Sequence, residues 1–101
     1  MEYPFKPKST VHMENGQFWA IRLSDGEWAC GMVLSINKES RREFVAGLVD
    51  WRGAEEPSAS DIEGRKIIEQ GVGHIKMISE GYGRIIGRVI PFLEIKRALF
   101  A

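Results

Sequence analysis

The 101-residue sequence predicts a mainly β (α+β) fold: a strongly curved antiparallel sheet or small open barrel of about five strands with one short helix. Three observations carry this prediction. Several runs alternate large apolar residues with small or polar ones, which is the period of a half-buried strand. Asp25-Gly26 separates the first two runs, and Asp-Gly between alternating runs is a strong hairpin signal. Strands and helices do not alternate regularly along the chain, as they would in a parallel sheet built from βαβ units.

The first two predicted strands form this hairpin. They are F-W-A-I-R-L (18–23) and W-A-C-G-M-V-L-S-I (28–36). On the second strand the large side chains are expected on one face and the small ones on the other, as a strongly curved sheet favours. The large set is Trp28, Cys30, Met32, Leu34 and Ile36.

The remaining elements follow in chain order. Residues 44–51 predict a third strand. Ser60 and Glu63 match a capping box, which predicts a short helix that runs to about Gln70. Residues 72–78 and 84–90 predict a fourth and a fifth strand. Pro91 is expected to open a final helical turn.

Composition describes a single soluble domain. With 44% hydrophobic residues the chain can build one core, and its formal net charge of zero argues against a nucleic-acid partner. The single cysteine fits a reducing compartment. Residues 1–15 hold two prolines and an Asn-Gly pair, so we expect an extended lead-in before one β-rich domain at 16–101. The N-terminus has no apolar signal, and no apolar run is long enough for a membrane helix, so the predicted location is cytoplasmic.

The sequence predicts no catalytic residue, no metal and no cofactor. Cys30 lies between apolar residues and is expected in the core, because free cysteine is among the most buried residue types. One cysteine and two distant histidines do not provide the converging ligands of a zinc site. G-Y-G-R-I-I-G (81–87) approaches the dinucleotide fingerprint, but it leads into a predicted strand where that motif opens a helix.

Charge is distributed unevenly along the chain. Residues 50–63 contain five acids and one arginine, a net charge of −4, whereas residues 84–97 have a net charge of +3. Such a separation can steer a partner, although a solvated loop beside an unrelated basic strand is an equal interpretation. The predicted partner-binding residues are Asp50, Trp51, Glu55, Glu56, Asp61 and Glu63.

The segment G-Q-F-W-A-I-R-L-S-D-G-E-W-A-C-G-M-V-L (16–34) resembles the opening of the immunity protein 26 family of bacterial polymorphic-toxin systems. The matching positions are Gly16, Phe18, Ile21, Leu23, Asp25, Gly26, Trp28, Gly31 and Val33. G-V-G-H-I-K-M-I and G-Y-G-R-I-I-G are similar to that family's closing strands, so the resemblance covers about residues 16–90. Arg22 departs from the proline or neutral residue expected there.

The resemblance implies a small bacterial protein, encoded beside a toxin, that binds and neutralises this cognate toxin by occlusion. It transfers no catalytic or binding residue, because the matching positions have structural roles. The acidic segment favours a toxin that is a nuclease or another enzyme with a basic groove, and homodimerisation stays open. One alternative is a small-ligand or peptide-binding barrel with Trp19, Trp28 or Trp51 as its pocket floor. A nucleic-acid adaptor is disfavoured by the zero net charge.

Overall fold

The computed structural model describes residues 2–81 and 83–90. It contains one five-stranded antiparallel sheet with the strand order β4-β3-β2-β1-β5, which does not close into a barrel. The strands are β1 Gln17–Arg22, β2 Trp28–Ile36, β3 Glu43–Val49, β4 Ile67–His74 and β5 Gly87–Arg88. Two short helices, α1 Ala59–Ile62 and α2 Lys76–Ser79, and a 3-10 turn at Thr10–His12 accompany them. The predicted fold class is confirmed, with two short helices among the described residues where one was expected.

The predicted hairpin joins β1 and β2, and its loop is one residue longer than a two-residue turn. The Gly26 N–H donates to the Leu23 carbonyl at 3.1 Å, and the Leu23 N–H donates to the Glu27 carbonyl at 2.9 Å. Gly26 has a φ of 89°, whereas Asp25 stays at negative φ. This is the pattern of a three-residue hairpin that ends in a left-handed glycine. Asp25 Oδ1 reinforces it by accepting from the Glu27 N–H at 2.9 Å.

The sheet has a core on each side, which we name by two adjacent residues of β1. The Trp19 face is packed with Met13, Trp19, Val33, Phe44, Ile75, Ile78 and Ile85. The Phe18 face is packed with Phe18, Cys30, Met32, Val49 and Ile62. The N-terminal segment and α2 cover part of the Trp19 face, while α1 covers the Phe18 face through Ile62.

Both aromatic side chains of β1 lie on glycines of the neighbouring strands. Trp19 is paired with Gly31 of β2, and a Cβ atom at Gly31 would overlap the indole ring. Phe18 is paired with Gly87 of β5, where a Cβ atom would lie 2.7 Å from the phenyl ring. The Trp19 ring occupies the space that a side chain at position 31 would need, which explains the glycine there.

An irregularity in β2 moves one predicted core residue to the other face. The register with β3 shifts between Val33 and Ser35, after which Ile36 is paired with Phe44. Ile36 consequently packs on the Trp19 face, while Leu34 stays on the Phe18 face. The prediction that both share a face is wrong, because one extra residue in a strand reverses the alternation that follows it.

The predicted helix at 60–70 is a single turn. α1 spans Ala59–Ile62, and its capping box is made by Ser58 and Asp61 in place of Ser60 and Glu63. Asp61 accepts from the Ser58 N–H at 3.0 Å, and Ser58 Oγ accepts from the Asp61 N–H at 3.4 Å. Gly64, with a φ of 78°, turns the chain into β4 soon afterwards.

The elements after α1 also differ from prediction. β4 begins at Ile67, inside the segment predicted as helix, and pairs with β3 along its length. The predicted strand at 72–78 ends at His74, and α2 follows where strand was expected. β5 covers only Gly87–Arg88 of the predicted 84–90 strand. The helical turn predicted from Pro91 lies outside the described residues.

The segment before β1 is fastened to the sheet. Phe5 and Ile85 form an antiparallel bridge, with N–H to carbonyl distances of 3.0 and 2.8 Å. The Thr10 N–H donates to the Arg41 carbonyl at 2.8 Å, and Met13 is buried in the Trp19-face core. These contacts hold residues 5–13 over the Trp19 face.

We expect Gly26→Val to destabilise the fold by at least ~1 kcal/mol, because a β-branched residue is strained at positive φ. Ser24→Val in the same loop is the control, since Ser24 is exposed and has negative φ. Thermal unfolding of both variants tests this. Equal melting temperatures for the two variants would contradict the turn assignment.

Gly31→Ala should destabilise the protein by about 1–3 kcal/mol, because its methyl group would displace the Trp19 indole from a filled core. Gly71→Ala in β4 is the matched control, because a Cβ atom there has no heavy atom within 4 Å. Chemical denaturation would measure both. A neutral Gly31→Ala variant would show that the indole is free to move.

Candidate partner-binding surface

The predicted partner-binding residues lie on the connection between β3 and β4, and that connection is fixed at its start. The Asp50 N–H donates to the Lys66 carbonyl at 2.8 Å, which joins the two ends of the connection. Gly53 and Trp28 exchange backbone hydrogen bonds of 2.8 and 3.1 Å, which attach the connection to the beginning of β2. Ile62, buried to 1% exposure, anchors its second half in the Phe18-face core. The connection is thus anchored on both sides of Glu55 and Glu56.

Trp51 has a structural role and also borders a cleft. It is partly buried and packs against the Phe18-face core. Its indole covers Gly53, where a Cβ atom would lie 2.5 Å from the ring. The same residue lines a cleft of about 470 Å³ together with Asp50, Arg52 and Arg65.

The acidic side chains differ in what they contact. Glu55 and Glu56 are exposed and form no ion pair or side-chain hydrogen bond with residues 2–81 or 83–90. Asp61 instead caps α1: the Ser58 backbone N–H, and after it the Ser58 hydroxyl, lower the pKa of this carboxyl from its usual value. Glu63 follows α1 as its exposed C-cap. Asp61 therefore serves the turn first, whereas Glu55 and Glu56 are available to a partner.

The folded chain brings part of the acidic segment close to the basic one. Glu56 and Arg84 line one cleft of about 250 Å³ beside the Phe18 face. Glu63 and Arg88 line another, of about 330 Å³, near the end of β5. The charge separation seen along the sequence is therefore reduced in space at these two positions.

Two further acids, Asp25 and Glu27, lie beside the connection, where the sequence did not predict them. Arg52 forms ion pairs with Asp25 and, at 3.5 Å, with Glu27, both in the first hairpin. The Glu27 backbone N–H, supported by Arg52, lowers the pKa of Asp25. The Trp28–Gly53 bridge brings the first hairpin close to Arg52. No local pattern in the sequence predicts this bridge.

Two adjoining clefts open on the Trp19 face beside β4. The first, of about 330 Å³, has Trp19 and Gly31 as its floor and is bordered by Gly71, Gly73 and Met77. The second is the 470 Å³ cleft that Trp51 lines, and both clefts include Ile21 and Leu48. In the sequence, the local signal for this open surface is the Gly-Val-Gly run at 71–73, where two glycines carry no side chain.

The residues considered for catalysis have structural positions. Cys30 is fully buried, its Sγ lies 3.5 Å from the Gly31 carbonyl, and burial raises the pKa of its thiol. The prediction that Cys30 belongs to the core is confirmed. His74 Nδ1 accepts from the Lys76 N–H at 3.1 Å, at the start of α2.

The described residues hold neither a cluster of metal ligands nor a membrane-spanning helix. Within residues 2–81 and 83–90, no three His, Cys, Asp or Glu side chains are grouped as metal ligands would be. The same ranges contain no helix with the length and apolarity needed to cross a membrane.

The model of the Immunity protein 26 family matches residues 14–100 of this chain. The chain belongs to the Immunity protein 26 family. Membership supports an immunity function in general terms and implies a partner toxin. No curated protein and no solved structure matches the chain.

The positions that resemble the Immunity protein 26 pattern stabilise the sheet. Gly16 and Gly26 have φ values of 90° and 89°, which glycine adopts most readily. Phe18 and Val33 are buried in the two cores, and Gly31 lies against the Trp19 ring. At the departing position, the Arg22 guanidinium lies 4.7 Å from the centre of the Trp28 ring, so it supports the hairpin through a cation–π contact.

Proposed function

We propose that this protein binds a cognate toxin and neutralises it by occlusion. The observation that carries the proposal is the family match over residues 14–100. Occlusion requires a fixed surface and no bond-making chemistry. The connection between β3 and β4 supplies such a surface, since one hydrogen bond joins its two ends and two more attach Gly53 to Trp28 of β2.

The proposed interface is centred on Asp50, Trp51, Glu55 and Glu56. Exposed carboxylates beside a partly exposed aromatic ring complement a basic, polyanion-binding groove, and aromatic residues are frequent anchors at interface centres. The toxin would then be a nuclease or another enzyme with such a groove. Asp61 shapes the turn through Ser58, and Glu63 lies at the rim of the interface.

Titration of the purified toxin against the purified protein tests this function. Occlusion predicts that toxin activity falls linearly and reaches its minimum at a fixed molar ratio. Full toxin activity in excess protein would reject the proposed function. Inactivation of many toxin molecules by one molecule of this protein would reject occlusion in favour of an enzymatic mechanism.

Charge reversal of the exposed acids tests the interface. Glu55→Lys with Glu56→Lys should slow association with the toxin several-fold and weaken its salt dependence, because exposed charges act mainly through steering. Glu39→Lys with Glu80→Lys is the control, because it makes the same change in net charge at exposed positions elsewhere. Equal association rates for the two double variants would contradict this interface.

Trp51→Ala should increase the dissociation rate of the toxin complex, because the substitution removes an aromatic anchor from the interface. Because Trp51 also packs on the Phe18-face core, the melting temperature of the variant protein must be measured in parallel. A lower melting temperature with unchanged dissociation would assign Trp51 to the core alone.

A second candidate, ligand binding without catalysis, is favoured by one observation. The cleft beside Trp51 has a volume of about 470 Å³, within the range of small-molecule sites. Tryptophan fluorescence titrated with small ligands and short peptides distinguishes it, because a toxin-specific protein gives no saturable response to them.

A further inference from the structure

The outer edge of β4 offers unpaired backbone groups. β4 pairs with β3 on one side, and none of residues 2–66, 75–81 and 83–90 pairs with its other side. The Ile75 N–H donates to the Arg42 carbonyl at 2.7 Å, which fixes the alternation of the antiparallel ladder. By that alternation, the N–H and C=O groups of Gln70 and Val72 point away from β3. Another extended strand can accept and donate hydrogen bonds there.

This edge lacks most of the features that prevent strands from pairing. Proline and lysine are absent from Ile67–His74, and Glu69 is its one carboxylate. Val72 is 74% exposed and Ile68 is 55% exposed, so apolar side chains accompany the open backbone. The register shift beside Leu48 and Val49 disturbs only the start of β4. Natural proteins normally block an exposed edge with charges, proline or a bulge, so the unblocked half of β4 is suited to pairing.

The glycine at position 71 independently supports an open binding edge on β4. Its φ is not positive, and a Cβ atom built on it meets no heavy atom within 4 Å. Neither strain nor crowding within the described chain therefore requires glycine here, although glycine weakens a strand interior. Its bare backbone borders the 330 Å³ cleft whose floor is Trp19. An incoming strand could place a side chain in that space.

The charges around β4 indicate which kind of strand can pair with its outer edge. Arg65 and Lys66 precede the strand, and His74 and Lys76 lie at its other end. A second copy of this chain, paired antiparallel across β4, would place its own basic end opposite each of these basic ends. Like charges in opposite positions destabilise a strand pair. A strand that is apolar at its centre and acidic at both ends is complementary to this edge.

We propose that such a strand of the cognate toxin pairs with the outer edge of β4 and inserts an apolar side chain over Gly71 and Trp19. This inference rests on the proposed function, namely that the protein binds a toxin. The edge adjoins the acidic interface, because Ile68 of β4 lines the same cleft as Trp51 and Asp50. A single toxin can therefore contact both surfaces.

Affinity for the purified toxin domain, the one encoded beside this chain's gene, tests the edge. Gly71→Val fills the cleft and Val72→Lys places a charge on the edge, and each should weaken binding by about tenfold or more. Val11→Lys is the matched control, because Val11 is an exposed valine (59%) outside the sheet, and it should bind like the parent. Melting temperatures of all three variants should stay close to that of the parent.

Hydrogen exchange supplies a readout that needs no substitution. The Gln70 and Val72 amides should exchange rapidly in the free protein and at least about tenfold more slowly in the complex. If the parent binds the toxin while these amides stay fast and the variants bind normally, the edge proposal is overturned and the proposed function stands. If the parent does not bind the toxin, both are rejected.

The free protein distinguishes the other occupants of the edge. Protection of the Gln70 and Val72 amides at every protein concentration would mean that the chain covers its own edge. Protection that increases with concentration, together with a dimer in sedimentation, would identify a second copy. Either result overturns the proposal.

Discussion

The contact on which the rest of this structure depends is the packing of two adjacent aromatic residues on glycines of the neighbouring strands. Trp19 lies on Gly31 of β2, and Phe18 lies on Gly87 of β5. Because Phe18 and Trp19 point to opposite faces, this dipeptide packs β1 against both neighbouring strands and contributes one aromatic ring to each core. The Trp19 ring also forms the floor of the cleft beside β4. The contact that builds the core therefore shapes the surface proposed for the toxin strand.

The two faces of the sheet are covered unequally by the described residues, and this difference locates the candidate surfaces. On the Phe18 face, Ile62 of α1 closes the core. On the Trp19 face, Met13 and Ile78 cover one half, while Ile21 and Leu48 border the two open clefts of the other half. The open edge of β4 lies at this side, because the connection before β4 packs Ile62 on the opposite, Phe18 face. The acidic interface lies on the connection itself, and the 470 Å³ cleft joins it to β4.

The sequence allowed local features to be predicted where one residue decides the conformation. Asp25-Gly26 located the hairpin, and the apolar neighbours of Cys30 placed it in the core. Between residues 58 and 74, competing signals were resolved by tertiary contacts. Ser58 and Ser60 each precede an acid by three residues, and burial of Ile62 accompanies the first choice. Too few residues of Ile67–His74 are apolar and directed inward for the sequence alone to indicate a strand. This segment becomes a strand because it pairs with β3. The ion pairs of Arg52 depend on distant segments and had no local signal.

A protein with zero net charge must be recognised through the arrangement of its charges and its shape. A standard interface takes about 800 Å² from each partner, which is about an eighth of the 6622 Å² surface of this chain. Neither the exposed acids before α1 nor the eight residues of β4 alone provide that area with a buried centre. The Asp50–Lys66 hydrogen bond joins the two surfaces where the connection begins and ends, so they keep a fixed relative position. Binding of a toxin to both surfaces would therefore cost this protein little conformational entropy, because the surfaces are already ordered relative to each other. A small conformational cost favours tight occlusion by a small domain.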